Sequence, residues 1–440
     1  MNKVKFFFPY FCLSISFLLL FYTLYRSIIV YEGEKNDYYI IYYYFSIISI
    51  FFSIILFFIS KKIIEYLIII FFSSIFSLYI FELSFILNDI FSNKEQIYQN
   101  LTGKKYDTRN KQEIYNELKK SNNSEKITLT VSPATILKLK YDIELFPLSN
   151  ISNTKTIHCN ENGYYSIYQS DRYGFNNPDS EWDSMENEYL IIGDSFAHGA
   201  CVNRPNDIAS NLRNLSDKSV LNLGFTGNGP LIEYATLREY FNFNSKKVLW
   251  LYYKNDLQDL KQELNNNILK NYLYNLEFTQ NLKSKQNHID DLKENLIKLE
   301  YEKKETKKIK EAINFIKLRN VRSILYFYLP NKYKPKQEIK PEFKKILKQT
   351  KDFLKLNNTK LYFVYLPSKE LYQSDLYNEY NMVKKIVNEL NIPFIDIHKD
   401  FFALEENPLS YFPFEYYNHY NVEGYKKISK IIYDQTKNDK

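Results

Sequence analysis

Residues 189–203 read YLIIGDSFAHGACVN, and the fold turns on how they are read. Tyr189, Leu190, Ile191 and Ile192 form an unbroken run of strand formers, the pattern of a strand covered on both faces. Gly193, Asp194 and Ser195 follow at once. A serine therefore stands where a buried parallel strand ends, the edge at which α/β folds present reactive side chains. The glycine allows a sharp turn, and the amides just after the strand are open to an anion, so Ser195 has the geometry of a nucleophile beside an oxyanion site. Gly-Asp-Ser is also an ordinary turn, and the rest of the chain decides between the two readings.

Downstream, residues 207–215 predict a short helix with Ile208 and Leu212 on one face. Residues 220–223 predict a second strand running into Gly224, Gly227, Asn228, Gly229 and Pro230. That turn can bare backbone amides, but it lacks the GxGxxG spacing and a Walker lysine, which argues against a nucleotide. Residues 248–252 predict a third strand that delivers Asn255 and Asp256 at its carboxyl end. Strands at 361–366 and 393–397 alternate with helices at 343–356, 376–390 and 422–434, which specifies a parallel sheet covered on both faces. Residues 257–319 are helical in pattern, with Ile289, Leu292, Leu296, Leu299, Ile309, Ile313 and Ile316 at spacings near three and four. This reads as an inserted helical arm. Its apolar seam fails at Lys303, so it is expected to pack back on the domain instead of forming a coiled coil. Residues 321–329 fit a strand or a helix end equally.

Upstream, residues 6–25, 38–60 and 66–87 are apolar runs long enough to cross about 30 Å of hydrocarbon. The first is not followed by a small-residue cleavage site, and two more spans follow it, so it reads as a helix and not as a cleaved signal. Lys3, Lys5, Lys61 and Lys62 flank the ends expected inside, whereas the first loop carries Glu32, Glu34 and Asp37 against Lys35. A multi-pass protein of the cell (inner) membrane follows, with residues 1–88 as anchor and everything beyond about Asn88 on the extracytoplasmic side. Glu82 is expected to be solvated near the outer interface. Residues 89–150 read as a juxtamembrane spacer in which Tyr106, Asp107 and Arg109 form a solvated surface, and residues 151–440 as the main domain, with a β-hairpin in 156–183. The net charge of +7 in 440 residues is spread among mixed Lys, Glu and Asp, which excludes a nucleic-acid footprint.

Cys159 and Cys201 fall in the outer domain. A disulfide, two thiols, or a zinc site completed by His158 and His198 are the alternatives, and without a carboxylate or a Cys-x-x-Cys repeat no metal or other cofactor is expected. A bridge would brace the loop after Ser195. The base for Ser195 must come from five histidines. His158 sits in the hairpin and His288 in the arm, His198 follows the serine too closely, and His398 shares a strand face with Asp396. His419, in NHYNVEGY before the last helix, can swing over the first strand's end.

The order GDSFAHG, NLGFTGNGP, KND and HYNVEGY, spanning residues 189 to 432, resembles the SGNH/GDSL hydrolase family. The resemblance implies a flavodoxin-like three-layer α/β/α fold and serine acyl transfer. It also implies Ser195 as nucleophile and oxyanion amide, Gly227 as a second amide, Asn255 as a side-chain donor and His419 as general base. Two positions depart from the family pattern. Tyr416 stands where the family has an Asp three residues before the histidine, which leaves Glu415, a backbone carbonyl, or no strong partner at all to orient His419. Tyr253 replaces the Gly of the third block and is expected to narrow the pocket. The implied activity is that of an esterase or O-acyltransferase with a Ser-His dyad, acting on an acylated glycan or lipid-linked sugar, with a membrane partner supplying the acyl group if it is a transferase. The alternative is a domain that has lost turnover and serves as a glycan-binding or assembly component.

Overall fold

The computed structural model describes residues 2–33, 36–90, 94–121, 126–139, 143–302, 304–328, 339–372 and 378–439. Lys303, Leu329 and the first two residues of the helix expected at 376–390 lie outside the described residues. The chain divides into one unit of Met1–Ser92 with Lys303–Glu338, and a second of Asn93–Glu302 with Ile339–Lys440.

In the second unit, β1 (Ile127–Leu129), β2 (Lys155–Ile157) and β3 (Ile167–Gln169) form a small sheet, with β1 parallel and β3 antiparallel to β2. The main sheet is built from β4 (Asn187–Gly193), β5 (Val220–Asn222), β6 (Ser245–Tyr252), β7 (Lys360–Tyr365) and β8 (Phe394–Asp396). Its order is β5-β4-β6-β7-β8 and every pairing is parallel. This is the flavodoxin-like order, and the chain reverses direction across the sheet between β4 and β6. Ser195 follows β4 and Asn255 follows β6, so both stand at the crevice where such sheets bind ligands.

Alternation along each strand fills two layers. Leu190, Ile192, Val248, Trp250 and Phe363 face one core with Leu231 and Leu237 of the helix Pro230–Tyr240 and Ile346 of the helix Pro341–Leu356. Tyr189, Ile191, Leu249, Leu251 and Val364 face the other with Ile208 and Leu212 of the helix Ile208–Ser216 and Ile428 and Ile432 of the helix Val422–Thr436. Each of these aliphatic side chains, fully buried, contributes roughly 1.5–3 kcal/mol. The result is a three-layer α/β/α sandwich.

Two expectations change. Residues read as a spacer are part of this unit: Ile114, Leu129, Val131, Ile136, Phe146 and Leu148 are buried in its core. Ile114 comes from the helix Lys111–Ser121, Leu129 and Ile136 from elements of three and seven residues, and Val131, Phe146 and Leu148 from irregular chain, which shows no period. The helical arm is also divided. The helices Asp256–Glu263, Asn267–Tyr274 and Gln286–Glu302 bury Leu260, Leu269, Tyr272, Ile289 and Leu296 in the second unit, whereas Lys304–Ile316 and Arg319–Tyr328 belong to the first. Residues 321–328 are thus helical.

The first unit holds three helical segments long and apolar enough to cross a membrane: Val4–Val30, Tyr38–Phe58 and Lys61–Leu87. Lys5 Nζ meets Glu65 Oε2 at 2.6 Å, and the hydroxyls of Ser16 and Ser53 lie 3.3 Å apart. Glu82 is not solvated but buried, as taken up below.

Candidate active site

Ser195 opens the short helix Ser195–His198, whose N-cap is Asp194 accepting from the Phe196 N–H at 2.9 Å. As the first helical residue it keeps its own N–H outside the helix ladder. Gly193 has φ +150°, and a Cβ there would lie 2.6 Å from the Leu251 carbonyl and 2.8 Å from Ala197 Cβ. A side chain at this position would push β4 from β6 and tilt the serine.

The structure brings Ser195 and His419 together: Oγ lies 2.9 Å from Nε2. The loop carrying His419 is pinned by Tyr420, whose buried hydroxyl donates to the Pro367 carbonyl at 2.6 Å, and by Asn421, which caps the last helix through the Gly424 N–H. The Phe196 ring lies 4.9 Å from the imidazole, and Tyr253 stacks beneath Phe196 at 4.1 Å. Tyr253 therefore fills the core under the ring that supports His419 instead of narrowing a pocket.

The acid that holds the other ring nitrogen is Glu161. Its Oε1 lies 2.9 Å from Nδ1, and its Oε2 accepts the main-chain N–H of His419 at 3.0 Å. Glu415, the expected orienting acid, instead accepts from Asn407 Nδ2 at 2.8 Å, in a turn where Phe414 and Glu415 both have φ of +56°. Burial pushes the Glu161 carboxyl up, but hydrogen bonds from the His419 ring and from the N–H groups of His419 and Asn418 pull harder and hold it below the usual range. It is therefore a carboxylate, able to stabilise positive charge on the imidazole. Glu161 lies between β2 and β3, in a loop tied down by Asn160 Nδ2 on the Asp107 carbonyl at 2.8 Å and Asn162 Nδ2 on the Cys201 carbonyl at 3.0 Å. Cys159 and Cys201 are joined, which fastens this loop to the segment after Ser195 and takes both sulfurs away from the zinc alternative.

Gly227 has φ +77°, and a Cβ on it would stand 2.0 Å from Ser132 Oγ, so only glycine fits the turn that offers this amide. Asn255 begins the turn after β6, but its Nδ2 donates to Asp259 at 2.9 Å and it also bonds Asp194, while its Oδ1 is buried without a partner among the described residues. Its amide is therefore directed at carboxylates, not held ready for an oxyanion. Behind it, burial, with Glu233 and Asp194 nearby, pushes the Asp256 carboxyl well above the usual carboxylate range.

His158 and His198 stack at 4.3 Å, and Phe225 lies on the other face of His198 at 4.8 Å. His198 Nδ1 accepts the Thr226 N–H at 3.3 Å, and burial pushes its pKa down to about 3, so this ring is neutral and structural. His398 bonds the Tyr372 hydroxyl at 2.9 Å, and His288 is exposed on its helix. A cleft of about 320 Å³ opens beside His419, lined by Lys111, Thr130, Ser132, Thr135, His158 and Thr226 among others. Lys111, Thr130, Ser132 and Thr135 all come from the stretch read as spacer.

No family model and no curated protein sequence matches the chain. Among solved structures it is similar to a protein from Desulfitobacterium hafniense DCB-2 described as lipolytic and of the G-D-S-L family, at 14% identity, 56% of this chain, 98% of that one and a TM-score of 0.31. It is also similar to an acetyl xylan esterase, AlAXEase, at 13% identity, 56% and 99% coverage, and the same TM-score of 0.31.

Proposed function

We propose that the chain is a serine esterase or O-acyltransferase that works through Ser195, His419 and Glu161. The observation that carries this reading is the pair of 2.9 Å contacts, from Ser195 Oγ to one ring nitrogen of His419 and from Glu161 to the other. Glu161 holds the proton on Nδ1 and leaves Nε2 as the base. Nε2 takes the Oγ proton while Oγ attacks an ester carbonyl. The developing oxyanion is met by the Ser195 and Gly227 amides. As the carbon–oxygen bond breaks, His419 returns the proton to the leaving alkoxide, and the acyl group remains on Ser195. Water then completes hydrolysis, or a sugar hydroxyl completes transfer.

The cleft supports a hydroxyl-rich substrate. Three threonines, a serine, an amine and two imidazoles are among the groups that line it, and such groups exchange hydrogen bonds with a sugar better than with an acyl chain. An acylated glycan or lipid-linked sugar, met on the extracytoplasmic side, is the substrate class proposed, and a transferase role calls for a membrane partner as acyl donor. A second reading, a glycan-binding component without turnover, is favoured by one observation: the Asn255 amide is directed at Asp259.

The test uses the full chain in detergent with p-nitrophenyl acetate and an O-acetylated oligosaccharide, following acetate release and acetyl transfer by mass spectrometry. Release or transfer that disappears in Ser195→Ala is expected. A folded wild type that does neither, yet binds the oligosaccharide as tightly as Ser195→Ala does, moves the assignment to the binding component.

A further inference from the structure

We infer that the segment Lys304–Tyr328 is an interfacial element whose partner is the lipid surface, and that Glu82 exists to seat it there. The inference rests on Lys61–Leu87 spanning a bilayer and is independent of the chemistry at Ser195.

The two helices of the segment, Lys304–Ile316 and Arg319–Tyr328, are separated by Leu318, whose φ is +49°. A break of this kind leaves the first N–H groups of the second helix without acceptors inside their own helix. Glu82, 1% exposed, supplies two of them: Oε1 accepts from the Asn320 N–H at 3.0 Å and Oε2 from the Val321 N–H at 2.9 Å. A carboxylate at a helix N-terminus also meets the positive end of the helix dipole. Three residues earlier on the same spanning helix, Tyr79 donates its hydroxyl to the Ile316 carbonyl at 2.9 Å, and its ring lies 5.4 Å from Phe315. The polar groups at the break are therefore answered by side chains of the third span.

These contacts fix a depth. Lys61–Leu87 is 27 residues, about 40 Å at ~1.5 Å per residue against about 30 Å of hydrocarbon, so a turn five to eight residues from its end, where Glu82 and Tyr79 stand, lies close to the hydrocarbon boundary. Ile80, Phe81 and Leu83, which surround Glu82 on the spanning helix, are 52%, 55% and 45% exposed, so the same turn presents apolar side chains outward as a lipid-facing span does. A segment bonded to that turn shares its surroundings. Unsatisfied backbone groups at the edge of the hydrocarbon are costly, which accounts for a charged residue inside the span.

The segment's own surface fits this place. Ile309, Ile313 and Ile316 recur at one face of the first helix and are 60%, 41% and 65% exposed, and Leu325 of the second is 62% exposed. The first helix reads KETKKIKEAINFI, with four lysines among its thirteen residues, the composition of a helix that lies in the headgroup region of an anionic membrane with its apolar face turned to the acyl chains. In water these four side chains would be a needless exposure. At the boundary they are burial. Insertion between two parts of the catalytic unit, Glu302 and Ile339, makes the segment a second membrane attachment within that unit's own chain.

The experiment places an environment-sensitive fluorophore on single cysteines of the full chain in a Cys12→Ser background, with the Cys159–Cys201 bridge left oxidised. The sites are Ile313→Cys, Leu325→Cys, Glu311→Cys, about 200° around the helix from 313, and Phe76→Cys, an outward-facing residue well inside the third span. The protein is reconstituted in vesicles of phosphatidylcholine and phosphatidylglycerol carrying a nitroxide either near the headgroup or near the acyl-chain end. Positions 313 and 325 are expected to be quenched at least about twofold more by the shallow nitroxide than by the deep one, position 76 the reverse, and position 311 mainly by aqueous iodide. If 313 and 325 follow iodide as 311 does while 76 reports hydrocarbon, the interfacial assignment is wrong and the span stands. If 76 also escapes both nitroxides, the span itself fails and takes the assignment with it.

Discussion

Replacing Glu161 with Gln tests the least expected part of the site. The wild-type carboxylate accepts two hydrogen bonds, from the His419 ring at 2.9 Å and from its main-chain N–H at 3.0 Å. An amide has one acceptor oxygen, so the substituted side chain satisfies one donor and turns its own NH₂ on the other. The main-chain bond is made equally in the ground and transition states and affects mainly the loop. The ring bond differs, because His419 becomes cationic only as it takes the Ser195 proton, and a carboxylate then stabilises a charge that an amide does not. Losing one charged hydrogen bond plus the fixed tautomer amounts to about 3–5 kcal/mol, or roughly 10²- to 10⁴-fold in rate. The rate constant for fluorophosphonate labelling of the full chain reads this without knowledge of the natural substrate. Glu161→Gln should fall by that factor, Glu161→Asp should recover part of it at high pH, and Glu415→Gln should stay within about twofold of wild type, since Glu415 accepts from Asn407 and not from His419. A Glu161→Gln enzyme that labels within about threefold of wild type would refute the positioning role.

Other perturbations follow from the same contacts. Gly227→Ala puts a Cβ 2.0 Å from Ser132 Oγ at φ +77°, so its melting temperature should drop by an amount equivalent to about 1–3 kcal/mol, and Ser132→Gly should restore part of it. Reducing the Cys159–Cys201 bridge, or replacing both residues with Ser, frees the loop that carries Glu161. Thermal unfolding should register a loss of roughly 2–4 kcal/mol, with slower Ser195 labelling. Glu263 accepts the Gly229 and Leu231 N–H groups at 2.6 and 2.9 Å, and burial raises its pKa to about 8. A carboxyl raised on folding contributes stability that is full below its unfolded pKa and is lost as pH rises toward the folded one. Denaturant titrations should therefore show stability declining between about pH 4.5 and 8 in wild type, by about 1.4 kcal/mol per unit at most, and a flatter profile in Glu263→Gln.

The strands of the main sheet were legible because each is an apolar run closed by turn residues, and a sheet buried on both faces has no other way to be written. Ser195 and His419 were legible because both stand at the ends of such elements, in blocks whose order along the chain is itself informative. Glu161 was not. It lies 258 residues from His419, and a search by local spacing stops at Tyr416 and Glu415. One signal pointed to it: Cys159 is two residues before Glu161 and Cys201 six after Ser195, so a disulfide between them carries the acid to the serine. The stretch 93–150 was misread because elements as short as Ile127–Leu129 and Pro133–Leu139 bury only a few side chains each, and polar neighbours outnumber them. The helical arm was misassigned for a different reason. Its period is real on either side of Lys303, but periodicity says that a face is apolar and not what covers it, and the covering changes from protein core at Ile289 and Leu296 to an outward surface at Ile309 and Ile313.

The central claim is that Ser195 is a nucleophile made reactive by His419. Its most direct measurement is covalent labelling of the full chain with a fluorophosphonate, mapped by peptide mass spectrometry and compared with Ser195→Ala and His419→Ala. The account predicts one adduct per chain, on Ser195, absent from the first variant and slowed at least about a hundredfold in the second. A folded wild type that takes no label, or takes it equally in His419→Ala, would contradict it.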